Sequence, residues 1–248
     1  MRDWNINFDL PLGGGFSINI DWIPSDTEQN FIDNFKLFSD STHLKNYKNN
    51  PIIYSLNNYG FRTPDDFFDG DIGTVYLGCS HTFGTGHYLE NSWAYNLHQK
   101  VGEGKFFNLS CGSIGITSQY AFLKYFSKKL KIKKVFHYYP DECFHRYEFL
   151  DKDGNTDIVT PMTDDKCVSL FFQKYLSHKP YNSLHNLSYI DAIKNICKEN
   201  ECEYHIYTKS YTSESIDAYS NQKTPARDLL HYYVEDHIDI SNNFLKML

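Results

Sequence analysis

Ser80, Asp228 and His231 are the residues of this chain whose types and spacing point to chemistry. Ser80 stands in Thr74–Gly86, TVYLGCSHTFGTG, just past a short apolar run and Gly78. A hydroxyl at the carboxyl end of a central strand lies where open α/β sheets place their ligands. It becomes a nucleophile if the chain also supplies a base and an oxyanion site. Asp228 and His231 are three residues apart in Thr224–His231, TPARDLLH. On a loop or first helical turn that spacing lets both side chains face one way. The carboxylate then fixes the imidazole tautomer, and the far nitrogen is left to take the serine proton. The loop after the last strand of a parallel sheet lies on the same edge as the loop after the first, so the two stretches can meet.

Each residue also has a plain structural reading. Read plainly, Ser80 is a turn hydroxyl and Asp228 with His231 a pair at a helix start, but their joint occurrence favours the catalytic reading. Cys79 is the alternative nucleophile, although neighbours at a strand end point apart. His81 and His87, which flank the serine, read as wall residues. Cys143, His145 and His137 fit no zinc spacing, and the chemistry outlined needs neither metal nor cofactor. Tyr138, Tyr139, Phe144 and Tyr147 read as core, with a stacking platform for a sugar or acyl chain as the alternative.

The elements that must position these groups follow from periodicity. Strands are expected at 74–79, 105–110, 133–139 and 203–208. Helices are expected at about 91–101, 115–129, 165–178, 184–199 and 230–247. The alternation implies a mostly parallel sheet covered on both faces. Before it, Asn5–Leu10 and Phe16–Trp22 read as a hairpin around three glycines. Thr27–Phe38 reads as a helix capped by Ser25 or Asp26. Residues 1–53 form an extension packed on a main domain of 54–248, because some 50 residues bury too little surface alone. Tyr54–Phe68 reads as a loop, and 150–164 as a loop or small insertion with a turn at 153–155.

Composition narrows the function classes. The 248 residues carry a net charge of −7, which argues against a nucleic-acid backbone or an anionic membrane as partner. The basic run Lys128–Lys134 reads as the solvated end of a helix entering a strand. No apolar run approaches the ~20 residues of a membrane span. The N-terminus has no apolar signal region, and the six cysteines show no CxxC spacing. A cytoplasmic protein with free thiols is expected.

In these motifs the chain resembles the SGNH (GDSL-type) hydrolases over roughly residues 54–248. Gly78–Gly84 (GCSHTFG) is similar to the first block of that family, which carries the nucleophilic serine. Asn108–Ser113 (NLSCGS) is similar to the second, whose glycine amide helps form the oxyanion hole. Ala226–His231 (ARDLLH) is similar to the last, with the acid and base. The resemblance implies a three-layer α/β/α fold with a flavodoxin-like parallel sheet. It implies a serine esterase with Ser80, Asp228 and His231 as triad, and an oxyanion hole from the amides of Ser80 and of Gly112 or Ser113. The substrate is then a small-molecule or carbohydrate ester. Two departures stand out. Cys79 replaces the family's aspartate, and the third block, normally G-x-N-D, is absent. In its place Tyr139–Glu148 offers no asparagine; either Arg146 or His145 substitutes, or backbone amides act alone. The alternatives are an O-acyltransferase on a carbohydrate, or a catalytically silent binding protein on the same scaffold.

Overall fold

Four strands run parallel through the centre of the molecule: β3 (Ile72–Gly78), β4 (Lys105–Ser110), β5 (Lys131–Tyr138) and β8 (Glu203–Tyr207), in the spatial order β4-β3-β5-β8. The computed structural model describes residues 17–140, 146–150, 156–159, 166–177, 179–209 and 216–248. Six consecutive residues of β3, from Gly73 to Gly78, are buried, as expected for a strand covered on both faces. Side chains alternate between two cores. Val75, Leu77, Phe107, Leu109 and Val135 pack with α5 (Ile116–Phe126) and α7 (Lys179–Glu199). Tyr76, Phe106, Phe136 and Tyr138 pack on the other side with α4 (Trp93–Val101) and α8 (Val234–Leu245). The result is three layers, helices–sheet–helices.

The sequence-derived elements of this core recur within a few residues, and the differences have local causes. The final helix starts at Val234 rather than near 230, because Asp228–His231 forms a turn in which Leu229 has φ 57°. The helix that opens at Lys166 (α6, Lys166–Phe171) passes into a π-helical turn over Phe172–Leu176. The stretch expected to be a loop or small insertion contains one arm of a two-stranded antiparallel ribbon, β6 (Tyr147–Leu150) with β7 (Thr156–Val159); the turn expected at 153–155 lies outside the described residues. Lys129 and Lys134 of the basic run pair with Asp69 and Glu103 at the surface.

The N-terminal segment differs most from expectation. Its strand β1 (Ile18–Ile20) pairs antiparallel with β2 (Tyr54–Leu56), inside the region read as a loop. Asn5–Leu10 lies outside the described residues. Helix α1 (Glu28–Leu37) is capped by Thr27, whose side chain accepts from the Asn30 amide at 3.1 Å, not by Ser25 or Asp26. Asp26 is committed elsewhere, to Arg227 and Tyr54. A second helix, α2 (Thr42–Asn49), was not legible in the sequence and is capped by Ser41. Ile23, Leu44, Tyr47, Ile52, Tyr54 and Leu56 form a third core that also takes in Phe83, at the end of the short helix α3 (Ser80–Phe83).

Candidate active site

β3 ends at Gly78, and α3 begins two residues later with Ser80 at its first position. The turn demands glycine at 78, since a Cβ there would lie 1.9 Å from Thr82 Oγ1. Ser80 is 5% exposed. Its carbonyl accepts the amides of Gly84 and Thr85 at 2.9 and 3.1 Å. Cys79 packs in the core with Val75 and Leu77 and is the N-cap residue of α3. Gly78 sits opposite Ser110 in the β3–β4 ladder, so the turns after the two strands leave the sheet at the same level. Asn108 on β4 donates to the Thr82 carbonyl at 3.3 Å and ties that strand to α3.

The second chain end arrives over Gly86. A Cβ at this position would lie 2.9 Å from Ala226 Cβ and 3.2 Å from Asp228 Oδ1, and φ is +75°. Only glycine lets the Asp228 loop approach so closely. The Gly86 carbonyl accepts the Arg227 amide at 2.8 Å. Asp228 is buried. Its Oδ1 accepts the amides of Leu230 (3.0 Å) and His231 (3.3 Å), and its Oδ2 accepts from His231 Nδ1 at 2.6 Å. Burial pushes the Asp228 carboxyl up, but the His231 hydrogen bond and charge and the two amides outweigh it and hold the group below the usual carboxylate range. The pair requires the Nδ1–H tautomer of His231 and leaves Nε2 as an acceptor.

His81, next to Ser80, joins the two ends. Its ring stacks on Tyr232 with centroids 3.7 Å apart and planes at 12°, and it meets the His231 ring edge-on at 5.3 Å. His231 is therefore packed against the residue that follows Ser80. His87 lies deeper. Its Nε2 donates to the Tyr232 carbonyl at 2.6 Å, and burial pushes its pKa down to about 4. A neutral, fully buried imidazole with that partner is a structural residue of the interior rather than a wall of the cleft.

The turn after β4, Cys111–Gly112–Ser113, borders a cleft beside α3. Ser113 has φ 64°, a left-handed conformation that a non-glycine residue adopts at a cost and that clusters at functional sites. Burial raises the Cys111 thiol pKa, and the nearby Glu148 carboxylate adds to the rise. Glu148 Oε2 accepts from the Ser118 amide at 2.8 Å in the first turn of α5. The Arg146 carbonyl would lie 2.6 Å from a Cβ on Gly115, which places residue 146 beside the loop that follows the turn. His145, with Asp141, Cys143 and Phe144, lies outside the described residues. Tyr138, Tyr139 and Tyr147 are core residues. His137 is held between Tyr204 Oη and Gln119 Oε1. Among the described residues no three His, Cys, Asp or Glu side chains form a group able to hold a metal ion, and no helix is long and apolar enough to cross a membrane.

Two supporting arginines escaped the sequence reading. Arg62, fully buried, donates to the carbonyls of Phe83 (3.2 Å), Gly84 (2.5 Å) and His87 (2.7 Å) and so fixes the exit from α3. Arg227 reaches away from the site to Asp26. Neither was foreseeable, because the partners are carbonyls and a carboxylate remote in sequence. No known family model matches this chain, and no curated protein matches it either.

Proposed function

We propose that this protein is a serine esterase of the SGNH type, on a flavodoxin-like sheet. The observation that carries the reading is the Asp228–His231 pair, held at 2.6 Å and packed through His81 against the turn that begins with Ser80. The strand order β4-β3-β5-β8 is in keeping with it, since the flavodoxin order begins 2-1-3-4 and places ligands beyond the carboxyl ends of the strands.

In this reading Ser80 Oγ forms a bond to the ester carbonyl carbon while His231 Nε2 takes its proton. Asp228 holds His231 through Nδ1 and stabilises the imidazolium. The carbonyl electron pair moves onto oxygen, facing the amides of Ser80 and of Gly112 or Ser113. Collapse breaks the bond to the alcohol oxygen, which leaves with the proton from His231. Water then attacks the acyl-enzyme, His231 takes its proton, and the acid is released with Ser80 restored. No asparagine replaces the missing third-block donor in Tyr139–Glu148, a loss worth about 3 kcal/mol where such a donor is present. Modest turnover is therefore expected.

The test is p-nitrophenyl acetate hydrolysis by the wild-type chain and by Ser80→Ala, together with labelling by a fluorophosphonate probe. Turnover and labelling that Ser80→Ala abolishes support the reading; equal rates in the two proteins refute it. An added alcohol acceptor that yields transesterified product would point to acyl transfer instead.

A further inference from the structure

Beside the Cys111–Ser113 turn the surface opens into a cleft of about 250 Å³. Gly112 and Ser113 form one side of it. Ile23, Pro24 and Phe83 add an apolar wall. Ser25 stands across from the turn: a Cβ on Gly112 would meet Ser25 Oγ at 3.7 Å. The wall has two origins. Phe83 ends the helix that begins with Ser80. Ile23–Ser25 belong to the N-terminal segment, in a turn closed by reciprocal backbone hydrogen bonds between Ile23 and Asp26 at 3.2 and 2.9 Å. Asp26 in turn is bound to Arg227, the residue before Asp228. A wall braced in this way holds a set shape, and it is tied to the loop that carries the acid.

We infer that this cleft is the acyl-binding subsite, that it takes short apolar acyl groups, and that the Ile23–Ser25 turn sets their length. The inference rests on the esterase reading above. Ser80 and His231 are not among the cleft's lining residues; the cleft meets the proposed site through the 112–113 turn, so an oxyanion held there places a substituent of the carbonyl carbon at its edge. Size follows from volume: an enclosed cavity of about 150 Å³ lined by apolar side chains accepts a benzene ring, so a cleft of about 250 Å³ has room for an acyl group of up to about eight carbons and none for the rest of a long fatty chain. The apolar lining also disfavours a charged acyl group, which would lose its hydration there.

The experiment has a kinetic arm and a binding arm. In the first, kcat/KM is measured for p-nitrophenyl acetate, butyrate, hexanoate and dodecanoate with wild type and Ser25→Phe. The wild type should prefer butyrate and hexanoate over dodecanoate by at least about tenfold, and Ser25→Phe should shift the hexanoate-to-acetate ratio down by about tenfold or more. In the second, hexanamide is titrated into Ser80→Ala with and without Ser25→Phe and followed by NMR. The added phenyl ring should weaken hexanamide binding by about tenfold. An unchanged chain-length profile, or hexanamide binding that ignores Ser25→Phe, overturns the subsite. The binding arm separates the two claims. If the wild type hydrolyses no ester, the esterase reading falls, while the hexanamide titration still decides whether the cleft accepts a short acyl chain.

Discussion

Asp26 and Arg227 form an ion pair sealed from solvent, with Nη2 and Oδ2 2.6 Å apart. Nε donates to both carboxylate oxygens, at 3.2 and 3.0 Å, and Nη2 also reaches the Asp21 carbonyl at 2.8 Å. The guanidinium lies 3.9 Å from the centre of the Trp22 ring. Tyr54 donates to Asp26 at 2.5 Å and accepts the Gly86 amide at 2.9 Å, so the network closes on the glycine beneath Asp228. Further contacts run in parallel. Tyr47 donates to the Pro225 carbonyl, Ser41 to that of Ala218, and Asn34 to that of Asp228 itself. The N-terminal segment thus braces the loop that carries Asp228.

Removing one partner of this pair strands a buried charge. Asp26→Asn or Arg227→Met is expected to lower stability by about 3–5 kcal/mol. The double change Asp26→Leu with Arg227→Met should recover much of that loss, because it removes both charges. Urea unfolding of the four proteins checks this; single variants within about 1 kcal/mol of wild type would contradict it.

In the proposed mechanism Asp228 holds the His231 tautomer. Asp228→Asn is expected to reduce kcat by on the order of 10⁴ while the protein still folds. Cys79→Ala, which shortens a core side chain, should keep most of the activity and cost about 1 kcal/mol of stability. Steady-state kinetics on both variants checks these values, and Cys79→Ala alone separates Ser80 from Cys79 as nucleophile, since its loss of turnover would favour the thiol.

Gly86 tests the close approach of the two chain ends. Gly86→Ala adds a methyl group 2.9 Å from Ala226 Cβ and at a positive φ. A stability loss of about 1–2 kcal/mol is expected from the backbone alone. Because Asp228 Oδ1 is 3.2 Å from the same methyl, kcat should fall by about tenfold or more as the acid is displaced. Thermal melts and kinetics on the same preparation read both effects, and unchanged kcat would show that the loop position is not critical.

Acid should destabilise the fold through its buried imidazoles. Burial pushes His137 down to about 3 and His87 down to about 4, so both stay neutral in the folded chain. The unfolded chain protonates them near pH 6.5 and then holds more protons than the native state. Their contribution is therefore complete above about pH 6.5 and shrinks as pH falls toward the folded values, by up to about 1.4 kcal/mol per unit for each histidine. Unfolding free energies between pH 7 and 5 should fall accordingly, and His137→Gln should flatten the slope. A variant with the wild-type slope would rule out this source.

The parts of this protein that could be read from its residues are those whose cause is local. Apolar and aromatic runs marked β3, β4 and β5, because a strand covered on both faces must be apolar over most of its length, and the alternation of Tyr204 and Ile206 with polar residues marked the edge strand β8. The three-residue spacing of Asp228 and His231 placed both on one turn, and the 2.6 Å contact follows from that proximity. What lies far apart in sequence was settled only by packing. Ser25 and Asp26 have the composition of helix caps, yet Asp26 is taken by Arg227 and Thr27 performs the capping, because a buried guanidinium requires a carboxylate and an exposed helix end does not. Ile18–Ile20 found its strand partner at Tyr54–Leu56, since antiparallel pairing depends on which edge burial brings alongside. The cleft walled by Ile23, Phe83 and Gly112 joins three distant segments, and its shape exists only once the separate cores have closed around it.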